Sequence, residues 1–270
     1  MRLTPVSPGT SPALTDADAR LPEDQVPPKP DGKRELARLT DVMDARQRAL
    51  HAEGRRALLI VLQGRDAAGK DGTIRHVFGP LDPLGVTATS FKVPTELELR
   101  HDFLWRVHAA APARGTVGIF NRSHYEDVLV VRVRQLAPES VWWPRYEQIN
   151  QFERILVENG TVILKFMLHI SREEQRERLS ARLEDPEKYW KFNAGDLKER
   201  ELWEPYTEAY REMLARTSTE LAPWYVVPAD SKRVRDLLVA RTVADTLERM
   251  DPRYPGPPPE LAALKAALAG

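Results

Sequence analysis

A chain of 270 residues with 42% hydrophobic side chains can bury a sizeable core, and its length fits one large α/β domain with embellishments better than two full domains. Forty basic and forty acidic residues cancel to a formal charge of +0, which excludes a global field toward nucleic acid or an anionic membrane and makes any anion site local. Cysteine is absent, which excludes disulfides, thiolate metal sites and a cysteine nucleophile, and suits a reducing compartment.

Residues 1–30 carry helix-breaking prolines and no periodic apolar positions, and predict an extended arm, free to pack on a neighbouring subunit. They show no charged-then-apolar signal pattern, and no apolar run nears the roughly 18 residues of a membrane span, so a cytoplasmic protein without membrane contact is expected. From Lys33 to Glu53, Leu36, Leu39, Val42, Met43 and Leu50 recur at helical spacing and predict an amphipathic helix. Ala57 to Gln63 is an unbroken apolar run ending at Gly64, as in a strand buried on both faces of a parallel sheet. Similar runs follow at Val86 to Val93, Thr116 to Phe120, Thr161 to His169 and Trp224 to Val227, each separated by room for a crossover helix. The pattern predicts a three-layer α/β/α sandwich around a central parallel sheet, spanning 31–251. A proline-rich tail occupies 252–270, with a small helix expected near its end.

The first strand runs directly into Gly64-Arg65-Asp66-Ala67-Ala68-Gly69-Lys70, which matches seven positions of the phosphate-binding pattern G-x-x-x-x-G-K-[ST]. Gly64 and Gly69 let the backbone curl, Ala67 and Ala68 present N–H groups, Lys70 brings a mobile charge, and a helix starts near Gly72. The usual hydroxyl that ligates Mg²⁺ is replaced by Asp71, so another oxygen must serve a hard cation, and Asp66 and Asp71 are candidates. Asp71 is equally well read as a first-turn acid complementing the helix dipole. Asp66 sits inside an anion-binding loop, where a carboxylate repels the ligand unless a metal or a proton intervenes.

After the strand at Thr116 comes Asn121-Arg122-Ser123-His124-Tyr125-Glu126-Asp127, placed where open α/β sheets bind ligands. Arg122 suits a bidentate phosphate contact, and Glu126 or Asp127 suits metal or base work. A plain Asn/Ser cap with acidic first-turn residues is the alternative.

These motifs, with Phe91-Lys92-Val93-Pro94-Thr95, Lys165 to Ser171, Trp190-Lys191-Phe192 and Ala222-Pro223-Trp224-Tyr225, closely resemble the family-2 polyphosphate kinases from about Leu36 to Leu247. The resemblance implies a thymidylate-kinase-like P-loop fold with a helical lid at about 171–200. It also implies Mg²⁺-dependent phosphoryl transfer, with Mn²⁺ a possible substitute, between inorganic polyphosphate and nucleotides. It implies that Asp66 and Lys70 act at the transferred phosphate, while Arg122 and a lid arginine, Arg182, hold phosphates. Asn121 stands where many members have Asp, and Glu126 where many have Asn, a pairing similar to the subgroup that carries AMP through ADP to ATP. The second metal carboxylate is left between Glu126 and Asp127. A homo-oligomer, dimer or tetramer, is also suggested.

Residues 171–200 alternate charges, and Ser171 with Glu174 predicts a capping box. Arg178 and Arg182, four apart, share a face and are candidates to reach over the crevice to phosphate. Lys92, Arg132, Arg134 and Lys165 are weaker candidates for a polyanion track. Trp142, Trp143, Trp190, Trp203 and Trp224 are expected in core or interface, His169 in a structural role, and His124 either capping a helix or touching phosphate. Two rivals stay open: an ATP-dependent nucleoside or nucleotide kinase, and a catalytically silent P-loop binding module.

Overall fold

The structure is a computed structural model and describes residues 1–192 and 195–269. In chain order its helices and strands are α1 (Lys29–Glu53), β1 (Ala57–Gly64), α2 (Lys70–Thr73), β2 (Val86–Ser90), α3 (Trp105–Ala109), β3 (Val117–Asn121), α4 (Glu126–Val133) and α5 (Glu139–Trp142). They continue with α6 (Arg145–Glu158), β4 (Thr161–His169), α7 (Arg172–Glu184), α8 (Gly195–Glu201), α9 (Trp203–Thr217), β5 (Trp224–Pro228), α10 (Lys232–Met250) and α11 (Leu261–Ala269).

The five strands form one parallel sheet in the order β2-β3-β1-β4-β5, with β1 in the middle. Every residue of β1 is buried, and its side chains alternate between two cores. Leu58, Ile60 and Leu62 face a core shared with Leu39 and Met43 of α1 and Leu237, Val243 and Leu247 of α10. Leu59 and Val61 face the opposite core, built with Ile149 of α6 and Tyr210 and Met213 of α9. That period of two makes the three-layer α/β/α sandwich predicted from the apolar runs. Among the described residues no helix is long and apolar enough to cross a membrane.

Several elements differ from expectation for local physical reasons. Helix α1 begins at Lys29, because Pro30 falls in the first turn, where its missing N–H has no helical partner to lose. Strand β2 stops at Ser90 and is a half-exposed edge, short of the predicted Val93. Its one neighbour among the described residues, β3, ends at Asn121, and Arg122 turns away with φ +61°, so Lys92 and Val93 have no described strand to pair with. Residues 1–28 fold onto their own chain: Val6 N–H donates to Trp224 O at the β5 edge, Thr15 O accepts from His169, and Leu14 is buried. Their apolar anchors are irregularly spaced, which hides them from periodicity.

The lid region holds α7, a 3₁₀ turn at Pro186–Lys191 and α8, while residues 193 and 194 and the side chains of Lys191 and Asp196 lie outside what is described. Half of the predicted capping box forms. Ser171 Oγ accepts from Glu174 N–H at 3.2 Å, but Ser171 N–H goes to Asp230 and the Glu174 carboxylate to Arg178.

Candidate active site

The parallel register brings the two motifs side by side: Leu62 is opposite Asn121, and Gly64 is opposite Leu168 of β4. Gly64 is required by close approach, since a side chain there would begin 2.6 Å from Leu168 O. The loop then turns through Ala67 at φ +64° and Gly69 at φ +105° into α2, which is prolonged by a π-helical turn at Ile74–Phe78. Two non-glycine residues in the left-handed region, Ala67 and Arg122, thus flank one crevice, the kind of backbone strain that collects at functional sites.

Lys70 is buried and its ammonium donates to Gly64 O at 2.7 Å and Arg65 O at 3.3 Å, closing the loop on itself. Burial, with Arg122 nearby, pulls its pKa down to about 8 against the opposing pull of Asp66, Glu126 and Asp71. Arg122 bridges two acids, at 2.5 Å to Asp66 Oδ1 and 3.1 Å to Glu126 Oε2. Burial pushes the Asp66 carboxyl up, but Arg122, Lys70 and Arg182 outweigh it and hold it below the usual carboxylate range. The same acids raise Arg122 against its own desolvation. Asp66, Lys70, Arg122 and Glu126 therefore form one charged cluster, within reach of the field of Arg182.

Asp71 accepts from Asn121 Nδ2 at 2.7 Å, which ties the first turn of α2 to the end of β3, and Asn121 also donates to Ser90 Oγ. Asp127 turns instead to Arg145, at 3.0 Å. Burial lifts its pKa to about 6, against the pull of Arg145 and Arg106. Among the described residues no three acidic or histidine side chains make a ready metal cage. Asp66 and Glu126, which share Arg122, offer carboxylate oxygens of the kind a hard cation takes.

Beside this cluster lies a cavity of about 480 Å³, reached from Asp66 and Arg122 and walled by Phe91, Leu129, Val130 and Leu136. Lys92, Arg106 and Arg134 line it beside Glu126, Asp127 and Glu199, with Arg134 paired to Glu199 and Arg106 to Glu98, and Tyr206 and Tyr210 close it from α9. The volume falls in the range of small-ligand pockets. Sequence patterns pointed to Lys92 and Arg134 only weakly and missed Arg106, Leu136 and the two tyrosines, which reach the cavity through α3, the turn after α4 and α9.

Other expectations need correction. Arg178 is not open toward phosphate, because all five of its N–H groups are taken: by Glu174, Ala67 O, Ala68 O, Ala229 O and Asp230 O. Lys165 belongs to no track, being fully buried with its ammonium on Glu153, Tyr125 Oη and Thr217 O. Arg132 lies over Trp142 and donates to Tyr146 Oη. His124 neither caps nor faces the crevice; it is buried against Glu153, and burial lowers its pKa. Trp142, Trp203 and Trp224 are buried, whereas Trp143 and Trp190 are exposed. Arg65, inside the loop, stacks 3.9 Å over Trp203 and donates to Thr207 and Trp203 O, so it anchors the loop to α9.

The family model described as Polyphosphate kinase 2 (PPK2) matches residues 28–255. The AMP/ADP-polyphosphate phosphotransferase of Meiothermus ruber is 54% identical over 222 residues, 82% of this chain and 83% of that protein. The ADP-polyphosphate phosphotransferase of Rhodopseudomonas palustris is 46% identical over 235 residues, 83% of this chain and 80% of that one. The crystal structure of Polyphosphate Kinase 2 from Arthrobacter aurescens TC1 superimposes with a TM-score of 0.86 at 40% identity, covering 99% of both chains.

Proposed function

The chain belongs to the polyphosphate kinase 2 family, and from that premise we propose that it moves phosphate from inorganic polyphosphate to AMP and then to ADP, yielding ATP. The observation that carries the reading is the glycine loop joined through Asp66 and Arg122 to a cavity of nucleotide size with an apolar wall. Polyphosphate meets the loop, and the nucleotide occupies the cavity with its terminal phosphate toward Arg122.

An oxygen of the nucleotide's terminal phosphate attacks the end phosphorus of the chain. A P–O bond forms, the bridging P–O bond breaks, and the polyphosphate, one unit shorter, leaves with the electron pair. That oxygen is already anionic near neutral pH, so no strong base is needed. Lys70 and Arg122 neutralise oxygens of the moving group, and Arg182 adds charge from α7. Mg²⁺, or Mn²⁺ in its place, would be held by Asp66 and Glu126 beside phosphate oxygens, with Asp127 the second choice because Arg145 engages it. Such an ion supplies charge neutralisation and alignment of the phosphates.

The test supplies AMP, polyphosphate and Mg²⁺ without ATP and follows the products over time. ADP should rise first and ATP should follow as ADP accumulates. Absence of ADP, with phosphorylation restored only by ATP, would replace this reading with an ATP-dependent kinase. A self-associating state, dimer or tetramer, belongs to the same proposal, supported by Trp105, Val141 and Trp143 exposed at the surface; sedimentation at working concentration tests it.

A further inference from the structure

Three successive carbonyls of the glycine loop are held from behind. Gln175 Nε2 donates to Asp66 O at 2.9 Å, and Arg178 Nη1 to Ala67 O at 2.9 Å and Ala68 O at 3.2 Å. Arg235 Nη1 reaches the same Ala68 O at 3.3 Å from the first turn of α10, with its remaining contacts on Asp236. Arg235 is 1% exposed, too deep to touch a substrate. Its guanidinium fills the place where a side chain at residue 69 would start, 1.8 Å from that Cβ. Gly69 therefore serves the loop's turn and also admits an arginine against its back. Nothing in the phosphate-binding pattern asks for that arginine.

We propose that Arg178 and Arg235 are positioning residues for the phosphoryl transfer, a clamp that, beside Gln175 on Asp66 O, sets the peptide planes from Ala67 to Gly69 for phosphate and fixes α7 to the loop. The inference rests on the phosphotransferase reading above. In a trans peptide the N–H points opposite its carbonyl, so pinning Asp66 O and Ala68 O outward turns the Ala67 and Gly69 N–H groups the other way. The intervening Ala68 N–H is spent on Arg65 O at 3.1 Å. A guanidinium on a carbonyl also polarises that peptide, which strengthens its N–H as a donor. Arg178 spans further. Its second arm holds Ala229 O and Asp230 O, each at 2.7 Å, so α7, the loop and the turn after β5 become one unit. Arg182, one turn along α7, takes its position near Asp66 from that attachment.

The experiment uses Arg235→Lys, Arg235→Met and Arg178→Lys in the full chain, with circular dichroism and melting to establish folding. Tripolyphosphate and AMP are titrated separately by calorimetry, and AMP phosphorylation is followed with polyphosphate. Charge-assisted hydrogen bonds to the loop are lost, so tripolyphosphate affinity and kcat should each fall about tenfold or more while AMP affinity stays within about twofold. Arg178→Lys keeps the charge and loses the fork, so a full loss there assigns the effect to geometry. A folded variant at either position with unchanged tripolyphosphate affinity and kcat overturns the proposal, as does an equal loss of AMP and tripolyphosphate affinity. Should Arg235→Met not fold, Arg178→Lys decides by the same criteria. Failure of the wild-type protein to make ADP would count against the functional reading alone, because tripolyphosphate binding reports the clamp without turnover.

Discussion

Arg122 places one arm 2.5 Å from the Asp66 carboxylate, across the space between the end of β3 and the glycine loop. Its other arm goes to Glu126, and its backbone sits at φ +61°, held by an N–H bond to Leu62 O. The arginine is balanced by two acids, and a phosphate can take its fork in their place. Arg122→Lys keeps a charge but not that fork. Turnover with AMP and polyphosphate should fall about 10²–10³-fold, the usual loss when one preorganised donor to developing charge is removed. Steady-state kinetics check this, and near-wild-type kcat would take Arg122 out of the transfer.

Lys70 should impose an alkaline limit. Its pKa in the folded chain, about 8, lies below its ordinary 10.5, chiefly through burial. The sign follows from proton counting: between those values the unfolded chain binds the proton that the folded one has lost. The penalty on the buried ammonium is thus full below about pH 8 and is relieved as pH rises toward the unfolded value. Phosphate binding needs the ammonium, so function runs the other way. The kcat/KM for polyphosphate should drop above about pH 8, and Lys70→Arg should move that limb upward even at low kcat. Lys70→Ala should cut turnover by orders of magnitude in a folded protein. A kcat/KM flat from about pH 7 to 10 would contradict the assignment.

The alternation of apolar runs with helical stretches was enough to read the sandwich, because β1 is buried on both faces and its composition shows it. The crevice was legible for the same reason, since Gly64 to Lys70 and Asn121 to Asp127 each follow a strand end. Illegible were groups whose role depends on distant carbonyls. By sequence Arg178 is a candidate to reach over the crevice to phosphate, whereas its five donors lie on backbone carbonyls and Glu174, and Arg235 belongs to no motif. The cavity wall escaped because Arg106, Leu136 and Tyr206 come from separate elements that only the fold assembles. The packed arm escaped because Val6 and Leu14 follow no period.

Asp127 carries a stability cost. Burial raises its pKa to about 6 from 3.8, so the folded chain binds a proton that the unfolded chain releases between those values. Stability from this group is therefore lost as pH rises from about 4 to 6 and stays lost above. Asp127→Asn imitates the neutral form. Its melting temperature should exceed that of the wild type at about pH 8, and the gain should shrink as pH falls toward 4. Thermal melts at several pH values read this directly. A variant less stable than wild type at pH of about 8 would show that the Arg145 pair outweighs desolvation.

The buried Lys165 separates fold from substrate track most cleanly. Its ammonium lies 2.6 Å from Glu153 Oε2, 2.6 Å from Thr217 O and 2.8 Å from Tyr125 Oη, in a region with no exposed surface on either charged partner beyond 2%. Burial lowers its pKa and Glu153 pulls the other way, while Lys165 helps hold Glu153 below the usual carboxylate range. Removing Lys165 leaves the Glu153 carboxylate buried with Tyr125 Oη and His124 as partners and no opposite charge beside it, a loss of about 3–5 kcal/mol. Lys165→Met should thus lower the urea midpoint strongly. Lys165→Met with Glu153→Leu should recover much of it, since two apolar groups of similar volume leave no orphan charge. At a temperature where Lys165→Met is folded, the KM for polyphosphate should match the wild type. A raised KM without loss of stability would return Lys165 to the polyanion track, and no recovery in the double variant would mean that the bonds to Tyr125 and Thr217 outweigh the ion pair.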